Sequence, residues 1–382
     1  MRKLQTRVSI ESLCLKVTSG GTPSRSNSRY WDGGTIPWVK TGELHDGYIE
    51  DAEEYITELA VEESSAKIFP SDTVLMAMYG DGRTITSLGI LRNPAATNQA
   101  CCAMLADPLK CDFRYLFYAL RHHRRELLGR VVAGAQRNLS GGIIRKFPIT
   151  WWPLKEQEKI AETLIKFDEL IGNNSRRVEL LEKSTLLAFE EWFIRLRYPG
   201  HKQKKVINGI PEGWERVPLE NAFVLQRGFD LPIQSRKSGS VPIYSSTGIC
   251  GYHNEARASA PGVVTGRSGT LGEVHFVRES FWPLNTALWV KEFRRLPPLY
   301  ALFVLRSLDL EKYNGGVSVP TLDRKSVHRI KILIPPKSLI DEFIGFAETS
   351  FSQIGNLRRQ NEKLGKGRDL LLPRLMDGRI AL

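Results

Sequence analysis

The side chains best suited to chemistry in this chain are arginines, amides and hydroxyls in glycine-rich loops. The first such loop, residues 19–29, carries Arg25 and Arg29 among serines and glycines and runs into a pair of aromatic residues. Two further loops, 79–84 and 134–140, also combine glycine with arginine and hydroxyl or amide groups. Guanidinium groups bind phosphates and guanine edges, and side-chain amides pair with adenine edges. The loops are therefore candidate nucleic-acid contacts, although a solvated surface loop has the same composition.

The second half of the chain carries similar candidates. The segment 266–270 (Gly-Arg-Ser-Gly-Thr) resembles 80–84 (Gly-Asp-Gly-Arg-Thr), and 285–287 resembles 98–100. From residue type and loop position we select as candidate DNA contacts Arg25, Arg29, Lys40, Tyr79, Arg83, Arg137 and Asn138 in the first half and Arg227, Tyr244, Arg267, Ser268 and Asn285 in the second.

Signatures of catalysis are scarce by comparison. The chain has no P-loop, no dinucleotide-binding fingerprint and no HExxH zinc motif. The segment 93–96 (Asn-Pro-Ala-Ala) lacks the aromatic residue that would stack on a flipped base in a DNA methyltransferase. The segment 323–325 (Asp-Arg-Lys) has the Asp-x-Lys form found in nucleases, whereas its counterpart 140–142 (Ser-Gly-Gly) has neither charge. We expect no catalytic residue and no cofactor; a DNA-cleaving or DNA-modifying enzyme remains an alternative.

Charge and cysteine content limit the partners and the compartment. The net charge is +12, from 54 Lys and Arg against 42 Asp and Glu. A basic surface gains free energy by releasing counterions from a polyanion, so a nucleic-acid partner is a fair expectation. The five cysteines form no CxxC pair, which argues against a zinc site or a disulfide framework. We expect no bound metal, no signal peptide, no membrane span and a cytoplasmic location.

Two long helices position these loops. Residues 151–160 (Trp-Trp-Pro-Leu-Lys-Glu-Gln-Glu-Lys-Ile) begin an apolar stripe that continues at helical spacing to about Arg197. A helix of about 44 residues would span about 65 Å and needs a partner helix to cover its stripe. A second helical run, from 334–336 to about Gly378, closes the chain. The segments before each helix mix strand-like and turn-like patterns.

The two halves also repeat each other. Residues 216–222 match 7–13, and residues 300 and 306 match 115 and 121, 185 positions apart. Leu322 and Phe343 match Leu139 and Ile160, 183 positions apart. The collinear order of these weak matches indicates an internal duplication.

The predicted fold class is α+β, with two α/β domains joined by two long antiparallel helices in a pseudo-two-fold repeat. Packing the two stripes against each other would bury both and place the globular segments at opposite ends of a rod. The predicted boundaries are a first domain at 1–150, a first helix at 151–198, a linker at 199–212, a second domain at 213–335 and a second helix at 336–382. Two basic heads at a fixed distance suit two half-sites on a DNA duplex; a purely structural coiled-coil spacer is the other alternative.

At this point the chain resembles the specificity (S) subunits of type I restriction–modification enzymes over its whole length. The resemblance lies in Gly-Thr-Pro-Ser (21–24) with Tyr-Trp (30–31) and Gly-Thr-Ile-Pro-Trp (34–38); Pro-Leu-Lys-Glu-Gln-Glu-Lys-Ile (153–160); Ile-Pro-Glu-Gly-Trp (210–214); and Leu-Leu-Pro-Arg-Leu-Met-Asp-Gly-Arg-Ile (371–380). It departs from the family at Trp151-Trp152, and the second helix start at 336–342 lacks the Glu-Gln pair.

This resemblance implies function and partners. Such a subunit would carry two target-recognition domains separated by two conserved helices and read a bipartite sequence in double-stranded DNA. It would dock two methyltransferase subunits. The resemblance leaves open whether a restriction subunit also joins. The resemblance assigns subunit docking to Glu156, Gln157 and Ile160, near one end of the first long helix.

Overall fold

A computed structural model describes residues 6–80, 84–131, 138–316 and 320–382. The chain divides into two compact units, one formed by Met1–Ser175 with Arg359–Leu382 and the other by Arg176–Arg358. We call them unit 1 and unit 2. Each long helix contributes one part to each unit.

Unit 1 is built on a five-stranded sheet. In spatial order its strands are Cys14–Ser19, Cys101–Ala106, Val74–Ala77, Leu88–Leu91 and Gly47–Ile49; the last pair is parallel and the others are antiparallel. A four-stranded sheet follows the order Tyr55–Ile56, Ile36–Val39, Ala95–Thr97, Ile68–Phe69, and Arg7–Ser9 pairs with Pro148–Thr150. The sequence prediction of a buried strand over 72–78 is met by Val74–Ala77, whose residues are all fully buried.

Short helices cover the sheets of unit 1. Their bounds are Ile10–Leu13, Glu58–Glu63, Phe113–His122, Arg124–Leu128 and Gly141–Lys146, with 3-10 turns at Ser28–Tyr30 and Thr41–Glu43. The helix Phe113–His122 begins where the Asp112 carboxylate accepts the backbone N–H groups of Arg114 and Tyr115. Its apolar face, Tyr115–Leu120, is buried in the core of the unit.

Unit 2 repeats this plan. Its four-stranded sheet has the order Phe223–Arg227, Ala287–Phe293, Gly262–Gly266, Val274–Val277, all antiparallel. A three-stranded sheet has the order Gly248–His253, Val241–Ser245, Trp282–Pro283, and two pairs join Glu215–Pro218 to Lys331–Ile334 and Val206–Ile207 to Ile210–Pro211. The helices are Leu219–Ala222, Pro298–Ser307 and Arg324–Arg329, with 3-10 turns at His201–Gln203, Ile233–Ser235 and Leu310–Tyr313.

The matching succession of elements supports the internal duplication. In both units a strand, a one-turn helix and a second strand open the fold, and the opening strand pairs with the strand that precedes a long helix. The helices Gly141–Lys146 and Arg324–Arg329 are capped at equivalent positions, 183 residues apart, by the side chains of Ser140 and Asp323. The duplicated sequence therefore folds into the same local architecture twice.

The long helices span Leu154–Phe189 and Lys337–Met376. The first ends eight residues earlier than the apolar stripe indicates, because a turn of π-helix at Glu190–Ile194 follows it. Helical structure continues through Gly172–Ser175, where the sequence allowed an interruption.

The two helices run antiparallel within each unit. In unit 1, Asp168 pairs with Arg368, and further along Asn174 donates to Asn361 at 3.0 Å. In unit 2, Phe189 packs edge-on against Phe343 with ring centroids 5.6 Å apart. The stripe residues Ile160 and Leu164 are buried in the core of unit 1, and Phe189 in the core of unit 2. No helix in the described part of the chain is long and apolar enough to cross a membrane.

Candidate nucleic-acid interface

In unit 1 the end of a central strand meets the loop that precedes a capped helix. The N–H of Leu139 donates to the carbonyl of Met78 at 2.9 Å, and Tyr79 forms an antiparallel bridge with Asn138. Leu139 is fully buried, which anchors the loop, while the Tyr79 side chain is 38% exposed. Two residues chosen as DNA contacts from sequence, Tyr79 and Asn138, are thus neighbours although 59 residues separate them. We call this the unit 1 edge.

A cavity of about 440 Å³ opens beside the unit 1 edge. Tyr79, Ser19, Gln99, Ser140 and Arg145 contribute its polar lining. Hydroxyl, amide and guanidinium groups in one concave site are the groups that pair with base edges and phosphates. Sequence reasoning did not select Ser19, Gln99 or Arg145, although Gln99 lies in the segment 98–100 that matches 285–287.

Close backbone approach shapes this site. The N–H of Gly21 donates to the carbonyl of Thr97 at 2.9 Å, and a Cβ on Gly20 would lie 2.1 Å from the Thr97 carbonyl oxygen. Only glycine fits there, so the loop after the strand Cys14–Ser19 crosses directly over the segment that leads to Gln99. The Thr22 hydroxyl consequently reaches the Gln99 side-chain oxygen.

Unit 2 has an equivalent edge. The N–H of Leu322 donates to the carbonyl of Arg267 at 2.8 Å, and Ser268 forms an antiparallel bridge with Thr321. Arg267 also donates from Nη1 to the carbonyl of Asn285 at 3.1 Å. The predicted contacts Arg267, Ser268 and Asn285 are therefore close together; we call them, with Thr321, the unit 2 edge.

An acidic group not selected from sequence belongs to the unit 2 edge. The Asn285 amide donates to the Asp230 carboxylate, and Asp230 lies 3.9 Å from Arg227, another predicted contact. The Arg227 and Asp230 side chains are both more than half exposed. Asp230 is therefore positioned to orient the Asn285 amide and to accept a hydrogen bond from a base amino group.

Several known proteins are similar to this chain in sequence. Residues 6–183 match the model of the type I restriction modification DNA specificity domain. The type I restriction enzyme MjaIX specificity subunit of Methanocaldococcus jannaschii is 28% identical over 400 residues, covering 96% of this chain and 91% of that protein. The EcoprrI specificity subunit of Escherichia coli is 23% identical over 88% of this chain and 86% of its own length.

Fold similarity extends over almost the whole chain. The crystal structure of the type I restriction–modification S subunit from M. genitalium superposes with a TM-score of 0.62 at 17% identity, covering 98% of this chain and 97% of that one. Over residues 6–183 this chain matches the type I DNA specificity domain, and over most of its length it is similar to type I specificity subunits. It has the α+β fold with a pair of long helices that the sequence predicts.

Two predicted DNA contacts are already engaged within unit 1. The Arg25 guanidinium lies 3.8 Å from the Trp31 ring centroid and pairs with Glu54, and Lys40 Nζ is 2.9 Å from oxygens of both Glu53 and Glu54. Hydrogen bonds from Arg25 and from Lys40 lower the pKa of the Glu54 carboxyl to about 2. A DNA phosphate would have to compete with Glu54 for both cations, so their direct DNA roles stay predictions.

The remaining predicted DNA contacts differ in availability. Arg29 is exposed, and its guanidinium has no ion pair among the described residues. Tyr244 lines a cavity in unit 2, where burial raises the pKa of its hydroxyl. Arg83 and Arg137 lie outside the described residues.

The predicted docking residues are largely internal. Gln157 is fully buried: its Oε1 accepts the N–H of Asp112 at 3.1 Å, and its Nε2 donates to the carbonyls of Lys110 at 3.1 Å and Trp152 at 2.7 Å. Ile160 is 5% exposed, in the core of unit 1. Glu156 is half-buried and pairs with Lys159. Docking by these residues stays a prediction, and Gln157 and Ile160 can contribute to it only through the surface that they support.

Proposed function

We propose that this chain is the DNA-recognition subunit of a type I restriction–modification enzyme and that each unit reads one half of a split target. The observation that carries the proposal is the recurrence of the edge. In both units a strand end is held against the loop before a capped helix, and in both the side chains presented there are of the types that contact bases. The named relatives are specificity subunits, which supports the assignment.

In each unit, different residues would contact the bases and the phosphate backbone of the DNA. Asn138 and Asn285 carry amides suited to adenine, and Arg267 carries a guanidinium suited to guanine or phosphate. Arg29 and Arg227 are exposed at the surface of their units and would serve phosphates, which hold a protein in register on the duplex without reading sequence.

The role proposed for the chain is recognition without catalysis. The Asp323 carboxylate, the acidic member of the nuclease-like Asp-x-Lys segment, caps a helix by accepting the N–H groups of Lys325 and Ser326, both at 3.1 Å. The equivalent cap in unit 1 is the uncharged Ser140. A structural cap explains the residue at this position in both copies of the repeat, Ser140 and Asp323, whereas a nuclease function would explain only Asp323.

The proposed partners are double-stranded DNA and two methyltransferase subunits; the presence of a restriction subunit is left open. The proposed division of the chain is the predicted one, with recognition domains at 1–150 and 213–335, long helices at 151–198 and 336–382, and a linker at 199–212. Docking of the methyltransferase subunits is assigned to the surface around Glu156 on the first long helix.

The test is base-resolved methylation of a host genome that expresses the partner methyltransferase with or without this chain. A split motif that appears only with the chain is the expected result; identical methylation in both strains would show that this chain is not the reader. Tyr79→Ala with Asn138→Ala should relax one half-site only, and Ser268→Ala with Asn285→Ala the other. A matched control is Arg295→Gln, which removes a surface arginine paired with Glu215 at 2.9 Å.

A further inference from the structure

Unit 2 contains a cationic cavity that the edge does not include. It has a volume of about 410 Å³ and lies between the hairpin 241–253, the strand Val274–Val277 and the parts of both long helices that belong to unit 2. Three arginines line it, Arg278, Arg306 and Arg358, against one carboxylate, Glu182. We call it the arginine cavity.

Arg306 is the unusual member of this lining. Its Nε and Nη2 donate to the carbonyl of Val274 at 3.3 and 3.1 Å, and in the described part of the chain no carboxylate lies within 4 Å of it. Burial lowers the pKa of Arg306, but a guanidinium keeps its proton at any physiological pH. A half-buried cation with no carboxylate in contact costs free energy, which an anionic ligand would recover.

The equivalent arginine of unit 1 is neutralised. Arg121, 185 residues earlier, lies 3.3 Å from Asp369 and 3.9 Å from Asp168, and the Tyr118 hydroxyl also donates to Asp168. Both acids are held by Arg368 as well. Unit 1 therefore contains a closed ion network where unit 2 contains a cavity.

Unit 2 lacks two of the polar side chains that belong to the ion network around Arg121 in unit 1. The positions that correspond to Tyr118 and Asp168, at offsets of 185 and 183, are Phe303 and Phe351. Their rings pack edge-on at 5.8 Å, and Phe351 lines the arginine cavity. An aromatic pair has replaced the hydroxyl and the carboxylate, while the arginine has stayed.

The other charged groups leave the cavity positive. Arg358 pairs with Glu182 at 2.8 Å, so Glu182 is already matched. Burial lowers the pKa of His275, which keeps the imidazole neutral near pH 7. Arg306 and Arg278 have no carboxylate within 4 Å among the described residues. Three arginines against Glu182 and Glu273, which lies 3.4 Å from His275, leave a surplus positive charge that selects an anion.

The position of the arginine cavity favours a DNA phosphate over an acidic side chain of a protein. The turn 245–248 lies between the cavity and the unit 2 edge: a Cβ on Gly248 would lie 3.2 Å from the His275 ring in the cavity, and one on Gly266 would lie 3.4 Å from Ser246 Cβ. Gly266 immediately precedes Arg267 and Ser268. A DNA strand that reaches the edge therefore brings its backbone to the cavity.

We propose that the arginine cavity binds a backbone phosphate of the DNA strand read by unit 2, with Arg306 and Arg278, the two lining arginines that have no ion pair among the described residues, as the phosphate ligands. This inference rests on the proposed function. It adds a sequence-independent DNA contact, located between the recognition edge of unit 2 and the long helices.

The test is the salt dependence of DNA binding by the full methyltransferase complex, on a duplex carrying the motif found by methylation sequencing. A plot of the logarithm of the DNA-binding constant against the logarithm of the salt concentration has a negative slope. Loss of one phosphate contact makes this slope less steep by about 0.9. The advantage of the unaltered protein over Arg306→Gln should therefore shrink about 3.5-fold between about 50 and 200 mM salt. Arg278→Gln, a change at a more exposed position, should show the same, and Arg295→Gln should leave the slope unchanged.

The outcomes separate this inference from the proposed function. If the unaltered complex yields no motif and no specific binding, the proposed function fails. If it binds specifically but Arg306→Gln and Arg278→Gln both keep the full slope, the phosphate site is wrong. If these variants bind DNA normally but no longer assemble with the methyltransferase, the cavity holds an acidic side chain of the partner and the proposal is overturned. The methylated motif itself should not change, because a phosphate contact carries no base information.

Discussion

Replacing Gln157 with alanine separates a docking role from an internal one. The structure places its amide between three backbone groups of unit 1: the N–H of Asp112 and the carbonyls of Lys110 and Trp152. Asp112 also caps the helix Phe113–His122. Gln157 therefore ties the start of the first long helix to the start of a core helix, and its loss should weaken both.

The magnitude follows from the groups left behind. Each buried polar group without a partner costs about 1–3 kcal/mol. With three such groups at the lower end of this range, Gln157→Ala should reduce the free energy of unfolding by about 3 kcal/mol. For a unit of this size, that corresponds to a fall in melting temperature of about 6–12 °C.

The assay is thermal and urea unfolding of the chain, combined with hydrogen exchange of the peptides around Asp112 and Gln157. Glu156→Ala is the matched control, because its ion pair with Lys159 is exposed and such pairs contribute about 0–1 kcal/mol. The reasoning is refuted if Gln157→Ala unfolds like the unaltered chain and yet no longer binds the methyltransferase. That result would make Gln157 a surface contact.

Three further substitutions test other parts of the structure. Asp323→Ala removes a helix cap and should cost about 1 kcal/mol in urea unfolding while leaving the methylated motif intact; loss of a DNA-cleaving activity would contradict the cap. Burial lowers the pKa of His123 to about 4, below its ordinary value of about 6.5, so the unfolded chain takes up the proton first and stability falls as the pH drops through this window. Unfolding at pH 7 and pH 5 should differ by about 2 kcal/mol more in the unaltered chain than in His123→Gln, and equal pH dependence would contradict the shift. Asn174→Leu removes the donor to Oδ1 of the half-buried Asn361, whose Nδ2 keeps the Ile171 carbonyl, and should cost about 1 kcal/mol, whereas the double change Asn174→Leu/Asn361→Leu should recover most of it; additive losses would exclude the coupling.

The long helices could be predicted because their signal is local and periodic. Ile160, Leu164 and Phe189 recur at helical spacing, and all three are buried. The resemblance assigns docking to Gln157, and helical periodicity does not show that this side chain is fully buried, because a periodicity analysis treats every polar residue as a surface residue. Only the tertiary structure shows that three backbone groups at the head of the helix need its amide.

The residue types of the recognition edges could be predicted from the sequence, but their proximity in the folded chain could not. Tyr79 and Asn138 were selected separately, and nothing in the sequence joins them, because their contact depends on strand-to-loop pairing over 59 residues. Gln99 and Asp230 were missed for the same reason. Arg25 shows the converse: its loop composition suits a phosphate contact, and only the structure shows that two tryptophans and Glu54 surround its guanidinium.

The comparison of the two units also bears on the form of the target. Two identical edges on a duplicated frame would read identical half-sites. Here the frame is repeated while the edges differ: Tyr79 and Asn138 in unit 1 stand where unit 2 has Ser268 and Thr321. The supporting charges differ too, since a closed ion network in unit 1 replaces the arginine cavity of unit 2. On the proposed function the two half-sites should therefore differ in sequence, and a palindromic methylation motif would mean that side chains outside these edges do the reading.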